Sequence, residues 1–155
     1  MAGKVAKAIA TWFGCGYSPI APGTAGSAAA LAIAWLLLEK AGWQALHVGA
    51  LAIAFLPLAV WASDSTALQL KRKDPGLVVV DEVVGQWITI SGATSLSWKA
   101  YLGAFLLFRL LDIWKPPPAR RLESLRGGFG IVADDAMAGI YGAVVLFLAG
   151  CFNLY

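Results

Sequence analysis

Six of the nine acidic residues in this 155-residue chain lie inside or at the ends of strongly apolar segments. They are Asp64, Asp81, Glu82, Asp112, Asp134 and Asp135. An ionised carboxylate in hydrophobic surroundings costs free energy unless it is paired with a cation or binds a metal ion. The fold must therefore supply partners for these side chains, and their number indicates a shared site.

The composition is typical of a membrane protein. Hydrophobic residues make up 59% of the chain and charged residues 14%, with a mean hydropathy of +0.72. A soluble domain usually has roughly 45–50% apolar and about 25% charged residues, so we predict one integral membrane domain over residues 1–155. A soluble helical protein with an unusually apolar core is the alternative, because no stretch reaches about 25 uncharged apolar residues. The net charge of +3 is small, and no nucleic-acid partner is expected.

Ala and Leu dominate five apolar segments, and helix-breaking Pro and Gly residues fall between them, which predicts α-helices. The segments are about Ala25–Leu38, Trp43–Ala62, Leu77–Ala93, Ala100–Trp114 and Asp134–Phe152. The first of them would rise only about 21 Å against a hydrocarbon core of roughly 30 Å. The predicted fold is a compact, all-α, polytopic membrane bundle of about five apolar helices, some of them short or shallow.

Basic residues divide unevenly when the N-terminus is placed in the cytoplasm and the five segments alternate across the membrane. Ten then lie inside and only Lys40 and Lys99 lie outside, in agreement with the positive-inside rule. The inside residues are Lys4, Lys7, Lys71, Arg72, Lys73, Arg109, Lys115, Arg120, Arg121 and Arg126. The same arrangement, chosen without reference to the acids, places all six buried acids on the cytoplasmic side. It separates Cys15 from Cys151, so no intrachain disulfide is expected.

The first motif, Ser18–Ser27, is a Pro- and Gly-rich turn that leads directly into the first predicted helix. Thr24 or Ser27 can cap that helix, and its free backbone N–H groups favour an anion. The motif is not a P-loop, because the Gly-Lys-Ser/Thr ending is missing. An ordinary capped loop is the alternative.

Two adjacent acids, Asp81 and Glu82, mark the start of the third predicted helix. They project about 100° apart on a helix, so both cannot face solvent from an apolar segment. Hard cations such as Mg²⁺ prefer carboxylate oxygens, which favours a metal site. A helix-dipole effect worth ~0.3–1 kcal/mol would explain one acid better than two.

Arg109, Asp112 and Lys115 are spaced three residues apart near the end of the fourth predicted helix. One interpretation is an intrahelical ion pair worth ~0.2–0.5 kcal/mol. In the functional interpretation, Asp112 is a metal ligand or base, and the two cations hold a phosphate. Arginine does this through a bidentate fork and lysine as a point charge.

A fourth motif begins with the glycine-rich stretch Gly127–Gly130 and continues to Asp134 and Asp135. We expect a mobile loop that allows close approach to a ligand, followed by a helix whose first turn carries both acids. A solvated helix start is the alternative interpretation.

Taken together, the four motifs resemble those of the phosphatidylglycerophosphatase A family. The matching stretches are Ser18-Pro-Ile-Ala-Pro-Gly-Thr-Ala-Gly-Ser27, Asp81-Glu82-Val-Val-Gly-Gln-Trp87, Phe108-Arg109-x-x-Asp112-x-x-Lys115-Pro116 and Gly127-Gly-x-Gly-Ile-x-x-Asp134-Asp135-x-x-Ala-Gly139. The resemblance implies Mg²⁺-dependent hydrolysis of phosphatidylglycerophosphate to phosphatidylglycerol and phosphate. It also implies a multi-pass protein of the bacterial inner membrane whose active site faces the cytoplasm.

The resemblance implies two groups of site residues. Those expected to be catalytic and to bind Mg²⁺ are Asp81, Glu82, Asp112, Asp134 and Asp135. Those expected to bind the substrate phosphate are Thr24, Gly26, Ser27, Arg109 and Lys115. The identity of the base, the number of ions, the oligomeric state and the roles of Asp64 and Asp74 stay open.

Two other membrane functions fit part of this pattern. An ion or metal transporter also carries acids within its membrane segments, but a transport path needs polar groups through the whole depth, whereas these acids cluster on one side. A CDP-alcohol phosphotransferase also uses membrane acids and Mg²⁺. Its Asp-Gly-x-x-Ala-Arg and Gly-x-x-x-Asp-x-x-x-Asp pattern does not occur in the sequence.

Overall fold

Helices account for all the regular secondary structure between residues 2 and 155, the part of the chain that this computed structural model describes. Seven α-helices follow one another: α1 (Ala2–Ala10), α2 (Pro22–Trp35), α3 (Ala45–Leu70), α4 (Val80–Ile90), α5 (Trp98–Trp114), α6 (Ala119–Leu122) and α7 (Gly127–Cys151). A short 3₁₀ turn, Cys15–Tyr17, follows α1, and a π-helical turn, Leu36–Lys40, extends α2. The prediction of an all-α bundle is confirmed, and each predicted apolar segment overlaps one of these helices.

Helix α4 lies at the centre of the bundle, where it contacts α2, α3, α5 and α7. Ten of its eleven residues are buried, and the remaining one, Glu82, is partly buried. No face of α4 is presented to water, because its polar face, with Asp81, Glu82, Gln86 and Thr89, is covered by protein as fully as its apolar face. Eleven residues rise only about 16 Å, so α4 is covered by protein rather than spanning a bilayer.

Glycine residues let α4 approach α5 and α7 closely. A Cβ atom at Gly85 would overlap the Phe108 ring and lie 2.7 Å from the Asp135 carbonyl oxygen. On the facing helix, a Cβ atom at Gly139 would lie 2.6 Å from the Gly85 carbonyl oxygen. Small residues of this kind allow close helix packing in apolar surroundings. Here the packing brings the start of α4 beside the acids of α7.

Three helices are long and apolar enough to cross a membrane: Pro22–Lys40, which is α2 with its π-helical extension, Ala45–Leu70 and Gly127–Cys151. Large apolar side chains such as Ile53 and Phe147 are exposed on them, which is typical of a surface that contacts lipid. Helices α4 and α5 are shorter, with 11 and 17 residues. Length and composition thus support three of the five hypothesised crossings. The short helices α4 and α5 agree with the expectation of shallow segments, whereas the first segment, which was also expected to be shallow, is long enough to cross because its helix continues to Lys40.

The boundary of α3 differs from the predicted one. The helix ends at Leu70 rather than Ala62, so Asp64 lies within it instead of ending it. Polar residues begin at this point of the sequence, but Ser63 and Thr66 are buried in the bundle, which keeps this part of the chain helical. The sequence pattern also did not predict α1 or the short α6.

Helix α7 begins earlier than predicted, at Gly127. The glycine-rich stretch is therefore the first turn of the helix rather than a mobile loop, and Asp134 and Asp135 do not lie at the helix start. The reason is close packing, because a Cβ atom at Gly128 would lie 2.6 Å from the backbone nitrogen of Asp64 in α3. Glycine at this position lets α7 start directly against α3.

Candidate active site and metal centre

A cavity of about 300 Å³ opens at the end of the bundle where α2 and α4 begin and α5 ends. Seven of the ten predicted site residues line it: Asp81, Glu82, Arg109, Asp112, Lys115, Asp134 and Asp135. The other charged residues in its wall are Lys73, Asp74 and Glu123. We call this space the acidic cavity, because seven acidic side chains and three basic ones line it.

Three carboxylates converge within the acidic cavity. Oxygen atoms of Asp81, Glu82 and Asp135 lie within 4.8 Å of one another. Asp81 Oδ1 and Glu82 Oε2 are buried and have no hydrogen-bond partner among the described residues. Burial raises the pKa of Asp81 well above its usual range, and the negative charges of Glu82 and Asp135 raise it further. A group of close oxygen atoms without partners could bind a metal ion.

Arg109 connects α5 to this carboxylate cluster. Its Nη1 atom donates a hydrogen bond to Oδ2 of Asp112 at 2.7 Å and lies 3.9 Å from Oε1 of Glu82. The predicted i, i+3 pair is therefore present, and the same guanidinium also reaches α4. Its Nε atom is buried and finds no partner within residues 2–155, so one donor stays available for a ligand.

Lys115 caps α5 in a left-handed conformation, with φ of 49°. Its Nζ atom donates a hydrogen bond to Oδ2 of Asp134 at 2.6 Å and lies 3.5 Å from Oε2 of Glu123. Burial lowers the pKa of Lys115, but the hydrogen bond to Asp134 and its charge outweigh burial and leave the pKa above its ordinary value. Lys115 is therefore charged at neutral pH and holds Asp134 as an ion pair.

The structure divides the five predicted metal ligands into two groups. Asp81, Glu82 and Asp135 form the carboxylate cluster. Asp112 and Asp134 each contact a cation of α5 instead. All five line the same cavity, so the two acids that are paired with cations lie close to the carboxylate cluster.

Helix α2 meets the acidic cavity through Gly23. A Cβ atom at this position would overlap Oε1 of Glu82 and lie 3.2 Å from Nη1 of Arg109. Only glycine allows the backbone of α2 to approach these two charged groups so closely. The first-turn N–H groups of α2 lie at the same end of the helix, where the dipole favours an anion.

The three predicted phosphate-binding residues of α2 do not line the acidic cavity. Thr24 is exposed, Gly26 packs against Val79, and Ser27 Oγ donates a hydrogen bond to the Gly23 carbonyl oxygen at 2.9 Å. The predicted capping by Thr24 or Ser27 is wrong. The helix starts at position 22, before either residue, and its N-cap residue makes no side-chain hydrogen bond.

Asp64 is the one predicted buried acid that does not line the acidic cavity. Its Oδ1 atom accepts a hydrogen bond from the backbone N–H of Gly128 at 3.0 Å. The N-cap residue of α7, Arg126, supplies no side-chain cap. Asp64 therefore satisfies a free N–H group of α7 from the neighbouring helix, and its charge faces the positive end of the helix dipole.

Sequence reasoning gave no role to several residues of this region. Lys73, Asp74 and Glu123 line the cavity, but they lie in polar segments and lack the contrast with apolar neighbours that marked the other acids. Gln86 is fully buried one turn after Glu82, and neither of its amide atoms has a partner among the described residues. The only feature of the sequence that could have indicated a role for Gln86 is its position within the motif Asp81–Trp87.

A sequence profile of the family described as Phosphatidylglycerophosphatase A matches residues 8–150. No solved structure matches the chain.

Among curated relatives, phosphatidylglycerophosphatase A of Escherichia coli K12 is 36% identical over 143 residues, which cover 92% of this chain and 81% of that protein. Phosphatidylglycerophosphatase A of Haemophilus influenzae is 40% identical over 140 residues, 90% of this chain and 85% of that protein. A Bacteroides thetaiotaomicron protein provisionally named as a phosphatidylinositol-3-phosphatase is 39% identical over 146 residues, 91% of each chain. The profile match and these identities over nearly the whole length establish that the chain belongs to the phosphatidylglycerophosphatase A family.

Proposed function

We propose that this protein is a Mg²⁺-dependent lipid phosphatase that hydrolyses phosphatidylglycerophosphate to phosphatidylglycerol and phosphate. The observation that carries the proposal is the acidic cavity, where a three-carboxylate cluster lies beside two cations of α5. Family membership supports phosphatidylglycerophosphatase activity. The metal requirement and the reaction are inferred from the chemistry of the cavity.

The donor set fits a hard divalent cation. Asp81, Glu82 and Asp135 offer only carboxylate oxygens, the ligands that Mg²⁺ prefers. Two of these oxygens are buried without a partner among residues 2–155, which is costly unless a cation is bound. When bound, Mg²⁺ would neutralise charge on the phosphoryl oxygens and lower the pKa of a coordinated water.

The cations of α5 are suited to hold the phosphate of the substrate. Arg109 has a donor without a partner and can present it to a phosphoryl oxygen as a charge-assisted hydrogen bond. Lys115 adds a second positive charge on the same wall. The N–H groups at the start of α2, beside Gly23, complete the anion site. We assign to these groups the phosphate-binding role that the resemblance had implied for Thr24, Gly26 and Ser27, because none of those three residues lines the cavity.

A proton must leave the water that attacks phosphorus, and we assign its acceptance to Asp134. One carboxylate oxygen of Asp134 is fixed by Lys115 at 2.6 Å. The other, Oδ1, is buried and lacks a partner among the described residues. A carboxylate with one fixed oxygen and one free oxygen can orient a water molecule and take its proton.

The position of the cavity suits a lipid substrate. Three helices can cross the membrane, and the cavity lies at the end of the bundle that the distribution of basic residues assigns to the cytoplasm. The acyl chains can stay in the bilayer while the head group reaches the carboxylates. We therefore place the protein in the bacterial inner membrane with this cavity open to the cytoplasmic interface.

Phosphate release from purified protein tests the proposal. Phosphatidylglycerophosphate, phosphatidate, phosphatidylinositol 3-phosphate and glycerol phosphate are compared in Mg²⁺ and in EDTA, with Asp81→Asn as the inactive control. We expect Mg²⁺-dependent release that is fastest from phosphatidylglycerophosphate. A protein that releases no phosphate from any of them, but carries divalent ions across vesicle membranes, would be the alternative transporter.

A further inference from the structure

A second, largely apolar space lies next to the acidic cavity, with which it shares one lining residue. It has a volume of about 610 Å³ and lies between α3 and the start of α7. We call it the α3–α7 slot, and its lining includes Leu56, Val60, Trp61, Arg126, Gly127 and Phe129. Both helices are long and apolar enough to cross a membrane, so the slot opens toward the acyl chains of the bilayer.

The slot and the acidic cavity meet at Gly127, which lines both of them. Gly127 has φ of +68°, and a Cβ atom there would lie 2.5 Å from Asp64 Oδ1. A side chain at this position would be strained and would displace the carboxylate that caps α7. Glycine thus keeps the boundary between the two spaces free of a side chain.

A positive charge lies beside this boundary. Arg126 lines the slot and is the residue before Gly127. It takes part in none of the ion pairs between the described residues. The nearby Asp64 already accepts a hydrogen bond from the backbone of Gly128. The guanidinium is therefore free to bind an anionic group at the level of the slot opening.

We propose that one acyl chain of the lipid substrate lies in the α3–α7 slot, and that Arg126 binds the phosphodiester that joins the acylated glycerol to the head group. This inference rests on the proposed function, because that substrate carries a phosphodiester and a terminal phosphomonoester one glycerol unit apart. The monoester occupies the acidic cavity, the glycerol bridge passes Gly127, and the phosphodiester lies at Arg126. The slot, Arg126 and the acidic cavity are thus arranged in the same order as three groups of the substrate: its acyl chain, its phosphodiester and its terminal phosphomonoester.

Another apolar groove, between α2 and α5, serves as the matched control for substitutions in the α3–α7 slot. It is of similar size, about 690 Å³, and includes Ala32. It shares no lining residue with the acidic cavity, so a chain lying there is not guided to the carboxylates. A bulky side chain in this groove should leave the relative use of long and short lipids unchanged.

The slot acts by orientation rather than by hydrophobic attraction, because the acyl chain is already in an apolar medium. Filling the slot should therefore misplace the head group. A small misplacement of reacting groups costs roughly tenfold or more in rate. A lipid with very short chains does not need the slot and should be less affected.

The first experiment compares dioleoyl and dihexanoyl phosphatidylglycerophosphate as substrates of wild type, Val60→Phe, Leu56→Phe and Ala32→Phe in detergent. We expect both slot variants to lower kcat/KM for the dioleoyl lipid by about tenfold relative to the dihexanoyl lipid. Ala32→Phe should keep the wild-type ratio. Two slot positions are used, so that misfolding of one variant, detected by thermal unfolding, still leaves a test.

The second experiment tests Arg126 with the dihexanoyl lipid, using Arg120→Gln as the exposed control. Arg126→Gln should raise KM by about tenfold, the size of a lost charged hydrogen bond, and by more than it lowers kcat. Arg126→Lys should restore part of the loss.

Several results would overturn the inference while the proposed function stands. One such result is that the slot variants keep the wild-type ratio of kcat/KM between the dioleoyl and the dihexanoyl lipid. Another is an Arg126→Gln variant with an unchanged KM. A change of oligomeric state in the slot variants would place a second copy of this chain in the slot instead. Absence of lipid phosphatase activity in the wild type would instead refute the proposed function itself.

Discussion

Gly23→Ala tests most directly which face of α2 forms the site. Alanine favours a helix over glycine by roughly 0.5–1 kcal/mol, and Gly23 lies within α2, so the backbone alone predicts no loss of stability. The added methyl group would nevertheless overlap Glu82 Oε1 and lie 3.2 Å from Arg109 Nη1. The substitution therefore separates an effect on the site from an effect on the helix.

The size of the effect follows from these contacts. Carbon contacts are most favourable at roughly 3.5–4.0 Å, so Arg109 must move by a few tenths of an ångström and Glu82 by about an ångström. Glu82 belongs to the carboxylate cluster, and Arg109 is assigned to the substrate phosphate. Because misplacement of reacting groups by 1 Å can cost about 100-fold in rate, we expect kcat/KM to fall by roughly 30- to 100-fold.

The assay is phosphate release from phosphatidylglycerophosphate, measured for wild type, Gly23→Ala and Thr24→Ala together with their thermal unfolding in detergent. Thr24 is the adjacent residue, but it is exposed and does not line the cavity, so Thr24→Ala should behave like wild type. A fully active Gly23→Ala variant beside an impaired Thr24→Ala variant would refute the assigned geometry. It would restore the original prediction that Thr24 binds the phosphate.

Three further outcomes are expected. Asp81→Asn should lower kcat by orders of magnitude and weaken Mg²⁺ binding measured by calorimetry, because one of three clustered carboxylates is lost; full activity would exclude Asp81 from the metal site. Arg109→Lys should retain charge but lose the planar fork, and kinetics should show it clearly impaired yet better than Arg109→Ala. In EDTA, the free energy of unfolding should decrease as pH rises from about 4 through the raised pKa of Asp81, because the folded state keeps a proton that the unfolded state has already released. Added Mg²⁺ should weaken this dependence, and thermal unfolding at a series of pH values measures it.

The helical class and the gathering of the acids could be predicted because both depend on short-range patterns. Apolar segments of helical length between Pro and Gly breakers require helices whichever way they pack. The positive-inside rule then placed the acids on one side without knowledge of any contact. Five of the six predicted acids do line one cavity.

The pairing of individual side chains depends on helix phase and packing, which the pattern does not contain. Helix α2 begins at Pro22 rather than Ala25, and this shift turns Gly23 toward the cavity and Thr24 away from it. The partner of Asp134 is Lys115, nineteen positions earlier, and their meeting depends on how α5 and α7 pack. Likewise, the apolar and polar residues of α4 separate onto opposite faces as in a surface helix, so the pattern does not reveal that other helices surround it on all sides.

The charge balance of the cavity makes a last prediction about the order of binding. Seven acidic side chains and three basic ones line the cavity, and Arg109 and Lys115 already contact Asp112 and Asp134. A phosphate monoester brings further negative charge, and at 4 Å each unbalanced pair of like charges costs about 4 kcal/mol at an effective dielectric constant of 20.

Mg²⁺ should therefore be needed to bind the substrate and not only to hydrolyse it. By linkage, a phosphate ligand must then tighten Mg²⁺ binding by the same factor. Titration of Mg²⁺ into the protein with and without a non-hydrolysable phosphonate analogue measures this coupling, and KM at a series of Mg²⁺ concentrations measures its counterpart. Equal Mg²⁺ affinity in both titrations would mean that Arg109, Lys115 and the start of α2 hold the phosphate without the metal, despite the excess of acids around them.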